Sequence, residues 1–115
     1  MRALNFYSSH YHSQLVSRRK ICTIRLGDKS SKYQEGDLVW ITVGKRFAPR
    51  KKLYPAVIDK VDTKPLNLLS LEELQGESQN ITSADELITF LHSIYEKTLS
   101  PDDMVSVVYF SEVVE

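Results

Sequence analysis

Three side chains that can take part in acid-base or nucleophilic chemistry fall within six positions of the sequence. Lys20, Thr23 and Arg25 supply an ammonium, a hydroxyl and a guanidinium group. Thr23 and Arg25 are two positions apart, so a β-strand would project both from one face, and Lys20 can join them only from the preceding turn. The pattern predicts a site for an anionic or amide-bearing ligand, and nucleic acid is the leading candidate.

Two strand patterns flank this cationic segment. Residues 21–26 alternate in character, and Cys22 and Ile24 are expected to face the core. After a polar stretch, Gly36 and Asp37 provide turn chemistry before the clearest strand of the chain, residues 38–43. Within that strand, core positions are expected at Val39 and Ile41.

The remaining patterns predict a mixture of strands and helices. Further strands are expected at residues 1–9, 54–61 and 104–110, and one or two helical turns within 10–18. From Met104 to Phe110, apolar residues occur in both sets of alternate positions, one set on each face of a strand. This pattern is typical of a strand that is covered on both faces. Ser70 with Glu73, and Ser83 with Glu86, have the spacing of capping boxes, which begin helices. Leu87, Phe90, Leu91, Ile94 and Tyr95 then predict one apolar face on a helix over residues 84–96.

Length and composition predict a single globular domain over residues 1–115. The apolar stretches are much shorter than the roughly 20 residues that cross a bilayer. Residues 1–7 lack an apolar signal core, so a cytoplasmic location without membrane association is expected.

The formal charge is zero overall but is distributed unevenly along the chain. Residues 1–64 carry a net charge of +9 and residues 65–115 a net charge of −9. Such asymmetry can mark a basic binding face, although oppositely charged solvated faces of one domain would give the same count.

Cysteine and histidine usage argues against two other kinds of chemistry. Cys22 is the only cysteine, which excludes an internal disulfide, and its apolar neighbours favour a buried thiol over an activated nucleophile. His10 and His12 would share a face of an extended segment, but spacing places no third metal ligand. No metal site and no cofactor are predicted.

A basic loop over residues 45–52 is a second candidate contact for nucleic acid. Arg50, Lys51 and Lys52 can contact phosphates, and Trp40 can offer a stacking surface. Two alternatives stay open, since Trp40 can equally be a core residue and the loop charges can be merely solvated.

The chain resembles the ASCH domain family, which is related to the PUA fold. The resemblance is carried by residues 19–25, the Gly36-Asp37 turn and the apolar strand near the C-terminus, in that order. It covers nearly the whole chain and implies an α+β fold, a PUA-like mixed β-barrel with flanking helices. It also implies a cleft beside the Gly-Asp region and functions linked to RNA.

One branch of the family, small amidohydrolases that remove the acetyl group of N4-acetylcytidine, shares the Lys, Thr and Arg found here at Lys20, Thr23 and Arg25. Hydrolysis of an amide by these residues would use Thr23 as nucleophile and Lys20 as base, and Arg25 would orient the ligand or stabilise the developing oxyanion charge. The acid is expected at Glu77, although an alternative alignment would place Gln79 there. Two hypotheses follow: a module that binds RNA or a modified nucleoside, and an amidohydrolase.

Overall fold

Five strands form one mixed sheet in the computed structural model of this chain, which describes residues 1–7, 11–45 and 47–114. In chain order the strands are β1 (Arg2–Phe6), β2 (Cys22–Leu26), β3 (Leu38–Val43), β4 (Lys51–Pro65) and β5 (Met104–Glu112). Their spatial order is β1-β3-β4-β5-β2. β1 pairs with β3 in parallel, and the other three pairings are antiparallel.

β4 is longer at both ends than the sequence pattern predicts. The expected bounds were wrong because Lys51 already pairs with Val43 of β3, and Pro65 still pairs with Met104 of β5. The basic loop is correspondingly shorter than predicted. The register shifts once in each of these pairings, and irregularities of this kind bend a strand and increase its twist.

The sheet curls until its two outer strands approach each other. β1 and β2 lie at opposite ends of the strand order, yet Arg25 Nη1 of β2 donates a 2.7 Å hydrogen bond to the backbone oxygen of Asn5 in β1. The Arg25 guanidinium also lies 4.7 Å from the centre of the Phe6 ring. The predicted α+β fold with a curled mixed sheet is therefore confirmed.

Apolar residues pack on both faces of the sheet. Val108 and Phe110 of β5 belong to one core cluster, whereas Val105 and Val107 belong to the other. Alternate residues of this strand therefore face different cores, as its doubly apolar pattern predicts. The core positions predicted from the alternation are also buried: Cys22, Ile24, Val39 and Ile41.

The helices are α1 (His12–Val16), α2 (Leu71–Glu77) and α3 (Ala84–Tyr95), with a short 3-10 turn at Leu66–Leu68. Ser70 and Glu73 form a complete capping box at the start of α2, and the Ser83 hydroxyl accepts from the backbone N–H of Glu86 at the start of α3. Both predicted helix starts are confirmed. None of the helices in the described ranges is long and apolar enough to cross a membrane.

Candidate functional site

The carboxylate of Glu77 is the centre of a buried polar cluster. Thr23 Oγ1 donates to Glu77 Oε1 over 3.2 Å, and the backbone N–H of Ile24 donates to the same carboxylate at 3.4 Å and 3.5 Å. The Tyr11 hydroxyl lies 3.5 Å from Oε1. Glu77 is only 1% exposed, so these donors replace the water that a carboxylate would otherwise bind.

Lys20 provides the positive charge of this cluster. Its Nζ lies 3.7 Å from Glu77 Oε1 and donates to the backbone oxygens of Gly76 at 2.7 Å and Glu77 at 3.0 Å. It also lies 5.0 Å from the centre of the Tyr11 ring. Burial lowers the pKa of Lys20, and the neighbouring carboxylate acts in the opposite direction.

Local structure explains why Lys20 and Thr23 meet although they are three positions apart. Lys20 precedes β2, and its backbone N–H donates to Gln14 O within α1. Lys20 thus lies in the turn, as a shared site requires. Thr23 and Arg25 project from the same face of the strand, where Arg25 Nε donates to Thr23 Oγ1 over 3.3 Å.

Glu77 reaches the cluster because the last turn of α2 packs against β2, an edge strand. The edge of β2 that does not face β5 leaves backbone N–H groups without a ladder partner, and the Glu77 carboxylate accepts one of them, from Ile24. Gly76 permits this close approach, since a Cβ at its position would collide with the Cys22 sulfur. The glycine therefore sets the position of the carboxylate that follows it.

The variant Gly76→Ala is expected to lower the free energy of unfolding by about 1–3 kcal/mol, because the added methyl group overpacks the contact with Cys22. Cys22→Ala in the same chain removes the colliding sulfur. The double variant is therefore expected to lose less stability than the two single changes together. Urea unfolding of the four proteins measures this coupling, and strictly additive losses would show that the helix contact does not limit this position.

Arg25 connects the buried cluster to a cavity of about 1060 Å³. It is 8% exposed, and it is the residue of the cluster that lines the cavity, whereas Lys20, Thr23 and Glu77 lie behind the lining. The prediction placed a ligand cleft around Lys20, Thr23 and Arg25; of these three residues, Arg25 lines the cavity.

The cavity wall combines aromatic rings with positive charge. Its rings are contributed by Tyr7, Tyr33, Phe90 and Tyr95. Tyr7 and Tyr95 contact edge to face with centroids 5.7 Å apart, and Tyr33 is fixed by a hydrogen bond from its hydroxyl to the backbone oxygen of Ala3. The wall also contains four lysines: Lys29, Lys32, Lys45 and Lys97.

Solved structures of other proteins resemble the fold of this chain. A protein of family DUF984 from Enterococcus faecalis matches with a TM-score of 0.70 at 20% identity, over 98% of this chain and 80% of that chain. An ASCH domain from Lactobacillus crispatus matches with a TM-score of 0.61 at 14% identity, over 94% and 77% of the two chains. This chain has the fold of an ASCH domain. No family model and no curated protein sequence matches it.

Two residues predicted to bind ligand have structural partners elsewhere in this ASCH fold. Gly36 adopts a φ of 90° and donates to Ile58 O, while Asp37 O accepts from the Ile58 N–H and Asp37 Oδ2 accepts from the Gln34 N–H. Neither residue lines the cavity. Their turn chemistry fixes the entry into β3, which is the physical reason for a Gly-Asp pair at this point.

Trp40 and the predicted phosphate contacts Arg50, Lys51 and Lys52 also lie outside the cavity lining, whereas Lys45 of the same loop is part of it. Trp40 is half-buried, with the Lys52 ammonium 4.8 Å from its ring centre. Arg50, Lys51 and Lys52 are exposed at the start of β4. Arg46, which the sequence places in the same loop, lies outside the described residues.

The structure brings in site residues that the sequence interpretation treated as ordinary strand, helix or loop positions. Tyr11 lies in the segment predicted to form one or two helical turns, yet its hydroxyl approaches Glu77, and burial raises its pKa. Asn5 accepts from Arg25 through its backbone and from Thr42 through its side-chain oxygen. The available signal was an asparagine inside an apolar strand, where a buried amide needs partners.

The remaining candidates concern thiol and metal chemistry. Cys22 is buried, as predicted, and burial raises the pKa of its thiol, which disfavours the reactive thiolate. Within the ranges that the structure describes, no group of three metal-ligating side chains is found. His10, the partner considered for His12, lies outside those ranges.

Proposed function

We propose that this ASCH domain binds RNA or a modified nucleoside in the cavity above Arg25. The observation that supports the proposal is the composition of the wall, in which four aromatic rings and four lysines surround a buried guanidinium. Aromatic rings stack on nucleobases, and unpaired bases can be bound on their hydrogen-bonding edges. Arg25 can present further donors to a base carbonyl, because its hydrogen bonds within the described part of the chain use Nε and Nη1.

A longer RNA can extend from this cavity onto the basic loop. Lys45 lines the cavity and also begins the loop that leads to Arg50, Lys51 and Lys52. Phosphate contacts of this kind release counterions and make binding sensitive to salt. The bound nucleotide would then be read in the cavity, while the loop would contribute affinity that does not depend on sequence.

Replacing one cavity ring tests the location of the site. Tyr95→Leu is expected to weaken binding of a short single-stranded RNA by about 1–3 kcal/mol, the usual contribution of stacking one base. Trp40→Leu is the matched control, because Trp40 carries a large ring outside the cavity. Fluorescence anisotropy at low salt measures both. Equal losses for the two variants, or a loss for Trp40→Leu alone, would move the site out of the cavity.

Neutralising the loop tests the extension of the RNA. The triple variant Arg50→Gln, Lys51→Gln and Lys52→Gln is expected to reduce both the affinity for RNA and the dependence of binding on salt. Its affinity for a single nucleoside is expected to stay unchanged, because these residues do not line the cavity. If wild-type protein binds neither RNA nor nucleosides at low salt, the binding function is rejected.

A second candidate function is hydrolysis of N4-acetylcytidine or a related small amide, and the contact between Thr23 and Glu77 favours it. The Thr23 hydroxyl donates to the Glu77 carboxylate, which is the arrangement of a nucleophile with its general base. Lys20 instead donates to Gly76 O and Glu77 O. These contacts favour Glu77 as the base, whereas the sequence prediction assigned the base to Lys20 and the acid to Glu77.

The proposed reaction uses Glu77 twice. Thr23 Oγ bonds to the acetyl carbon while its proton passes to Glu77, and Glu77 then donates that proton to N4 as the bond from carbon to nitrogen breaks. Cytidine leaves, and water hydrolyses the acetyl ester on Thr23 to acetate, which restores the hydroxyl. Lys20 remains an ammonium that stabilises the Glu77 carboxylate. The N–H donors of Arg25 can stabilise the negative charge that develops on the acetyl oxygen. Glu77 thus keeps the acid role predicted for it and also takes the role of base.

A further inference from the structure

We propose that the ligand of the cavity carries a phosphate group, so that the natural ligand is a nucleotide, either free or at the end of an RNA strand, and not an uncharged nucleoside. The proposal rests on the proposed binding function and specifies its substrate class. It is based on the positive charge of the cavity wall, since neither stacking on the aromatic rings nor the buried cluster around Glu77 requires four lysines there.

The cavity is far more basic than the chain that forms it. The formal charge of the chain is zero, whereas the lining contains five cations, Arg25 and four lysines, and one carboxylate, Glu96. The lysines come from three separate segments, namely the β2–β3 connection, the β3–β4 connection and the segment after α3. Folding therefore gathers these charges around one space, at an electrostatic cost that an anionic ligand would offset.

The four lysines of the wall differ from those lysines of the protein that form ion pairs. Lys20, Lys60 and Lys64 form ion pairs with carboxylates. Across residues 1–7, 11–45 and 47–114, no salt bridge involves the four lysines of the cavity. Within those ranges no carboxylate therefore neutralises these ammonium groups, although that of Lys32 lies 5.3 Å from the centre of the Tyr33 ring. A lysine binds phosphate as a point charge without demanding a fixed geometry.

Exposure and secondary structure indicate where the phosphate would lie. Arg25 is buried at the floor, Lys29 is half-buried, and Lys32 and Lys45 are exposed, so the last three place positive charge toward the outside of the cavity. The C-terminal turn of α3 contributes Ser93, Ile94 and Tyr95 to another part of the lining. A helix C-terminus carries negative partial charge and carbonyl acceptors, which repel a phosphate and suit the donor groups of a base. The phosphate is therefore expected near Lys29, Lys32 and Lys45.

Calorimetry with cytidine and cytidine 5′-monophosphate tests the proposal on the intact chain. At low salt, wild-type protein is expected to bind the monophosphate at least about tenfold more tightly than cytidine, as expected for two or more charge-assisted contacts. The double variant Lys32→Gln/Lys45→Gln is expected to lose most of this preference, measured as the ratio of the two affinities of the same protein. A charge-matched control, Arg19→Gln/Lys60→Gln, removes two exposed cations outside the cavity and is expected to keep the preference.

The source of the phosphate is distinguished with RNA oligonucleotides that differ only in a 5′-phosphate. Tighter binding of the phosphorylated oligonucleotide that is lost in Lys32→Gln/Lys45→Gln would assign the cavity to an RNA end, whereas a preference confined to the mononucleotide would assign it to a free nucleotide. Equal affinity of wild-type protein for cytidine and its monophosphate, with no effect of the 5′-phosphate, would overturn the inference and leave nucleoside binding intact. A loss of preference in the Arg19→Gln/Lys60→Gln control would equally overturn it, since overall charge would then explain the effect. Absence of binding to every probe would instead reject the proposed function itself.

Discussion

Glu77→Ala is expected to lower the free energy of unfolding by about 3–5 kcal/mol, the usual cost of removing one partner from a buried ion pair. The side chains of Lys20 and Glu77 are 0% and 1% exposed, so Lys20 would lose its carboxylate partner at a buried position. It would then either stay charged without that partner or release its proton, and both cost stability. Thr23 Oγ1 and the Ile24 N–H would lose their acceptor at the same time.

Two further variants separate the charge effect from loss of packing. Lys20→Met alone leaves the carboxylate unpaired and is expected to be costly, whereas Lys20→Met/Glu77→Gln removes both charges and keeps most of the volume. The double variant is therefore expected to be more stable than the sum of the single losses predicts. Guanidinium unfolding of wild-type protein, of the single variants Lys20→Met and Glu77→Gln, and of the double variant measures this coupling. A coupling energy near zero would mean that the contact between the two groups contributes nothing beyond their separate environments.

Alkaline pH gives an independent check on the same pair. Burial lowers the pKa of Lys20 below its ordinary value of 10.5, so the folded state releases this proton at a lower pH than the unfolded state does. Between these two pKa values the unfolded state binds more protons, and the contribution of Lys20 to stability rises with pH. Relative to Lys20→Met, wild-type protein is expected to gain stability as the pH approaches 10.5. A relative loss over that interval would show that pairing with Glu77 outweighs burial.

Thr23→Val is expected to abolish hydrolysis of N4-acetylcytidine by this domain, lowering the rate by about 10³-fold or more, if the second candidate function holds. Valine keeps the branched shape in the strand but has no hydroxyl to attack the acetyl carbon or to donate to Glu77. Thr23→Ser keeps the hydroxyl and is expected to retain activity within roughly tenfold. Release of cytidine and of acetate measures the reaction, and a denaturation curve for each variant confirms that it is folded at the assay temperature.

The outcomes of this assay separate the two candidate functions. Wild-type activity in Thr23→Val would exclude Thr23 as the nucleophile. No turnover by wild-type protein, together with binding of N4-acetylcytidine, would leave the cavity as a binding site and assign the buried cluster to stability alone. Glu77→Gln is the less informative variant, because it also leaves the Lys20 charge unpaired and so changes stability along with the proton transfer.

Much of the fold could be predicted because local sequence and tertiary environment agree. The alternation in residues 38–43 predicts β3, and the spacing of Ser70 with Glu73 predicts the start of α2, since each signal depends only on neighbours within a few residues. The same reasoning predicted that Thr23 and Arg25 share a face. It underestimated β4 because Lys51, Lys52 and Pro65 do not look like strand residues, and only pairing with β3 and β5 extends the strand over them.

The candidate site shows a sharper division between sequence and structure. The residue types at Lys20, Thr23, Arg25 and Glu77 are in the sequence, and their chemical capacity follows from it. Their meeting depends on a helix 54 positions away along the chain from Thr23, and no local pattern encodes such a distance. The choice between Glu77 and Gln79 was open for the same reason; in the structure, Glu77 is buried against Thr23 and Gln79 is exposed.

By itself, the sequence determined which groups this protein can use and which strands and helices carry them, because side-chain chemistry and short-range periodicity are local properties. Only the tertiary structure decided that the sheet curls to join β1 with β2, that Arg25 separates a buried cluster from a cavity, and that lysines from three segments line that cavity. These are consequences of long-range packing, in which burial of apolar residues brings distant segments together and fixes which polar groups must satisfy one another.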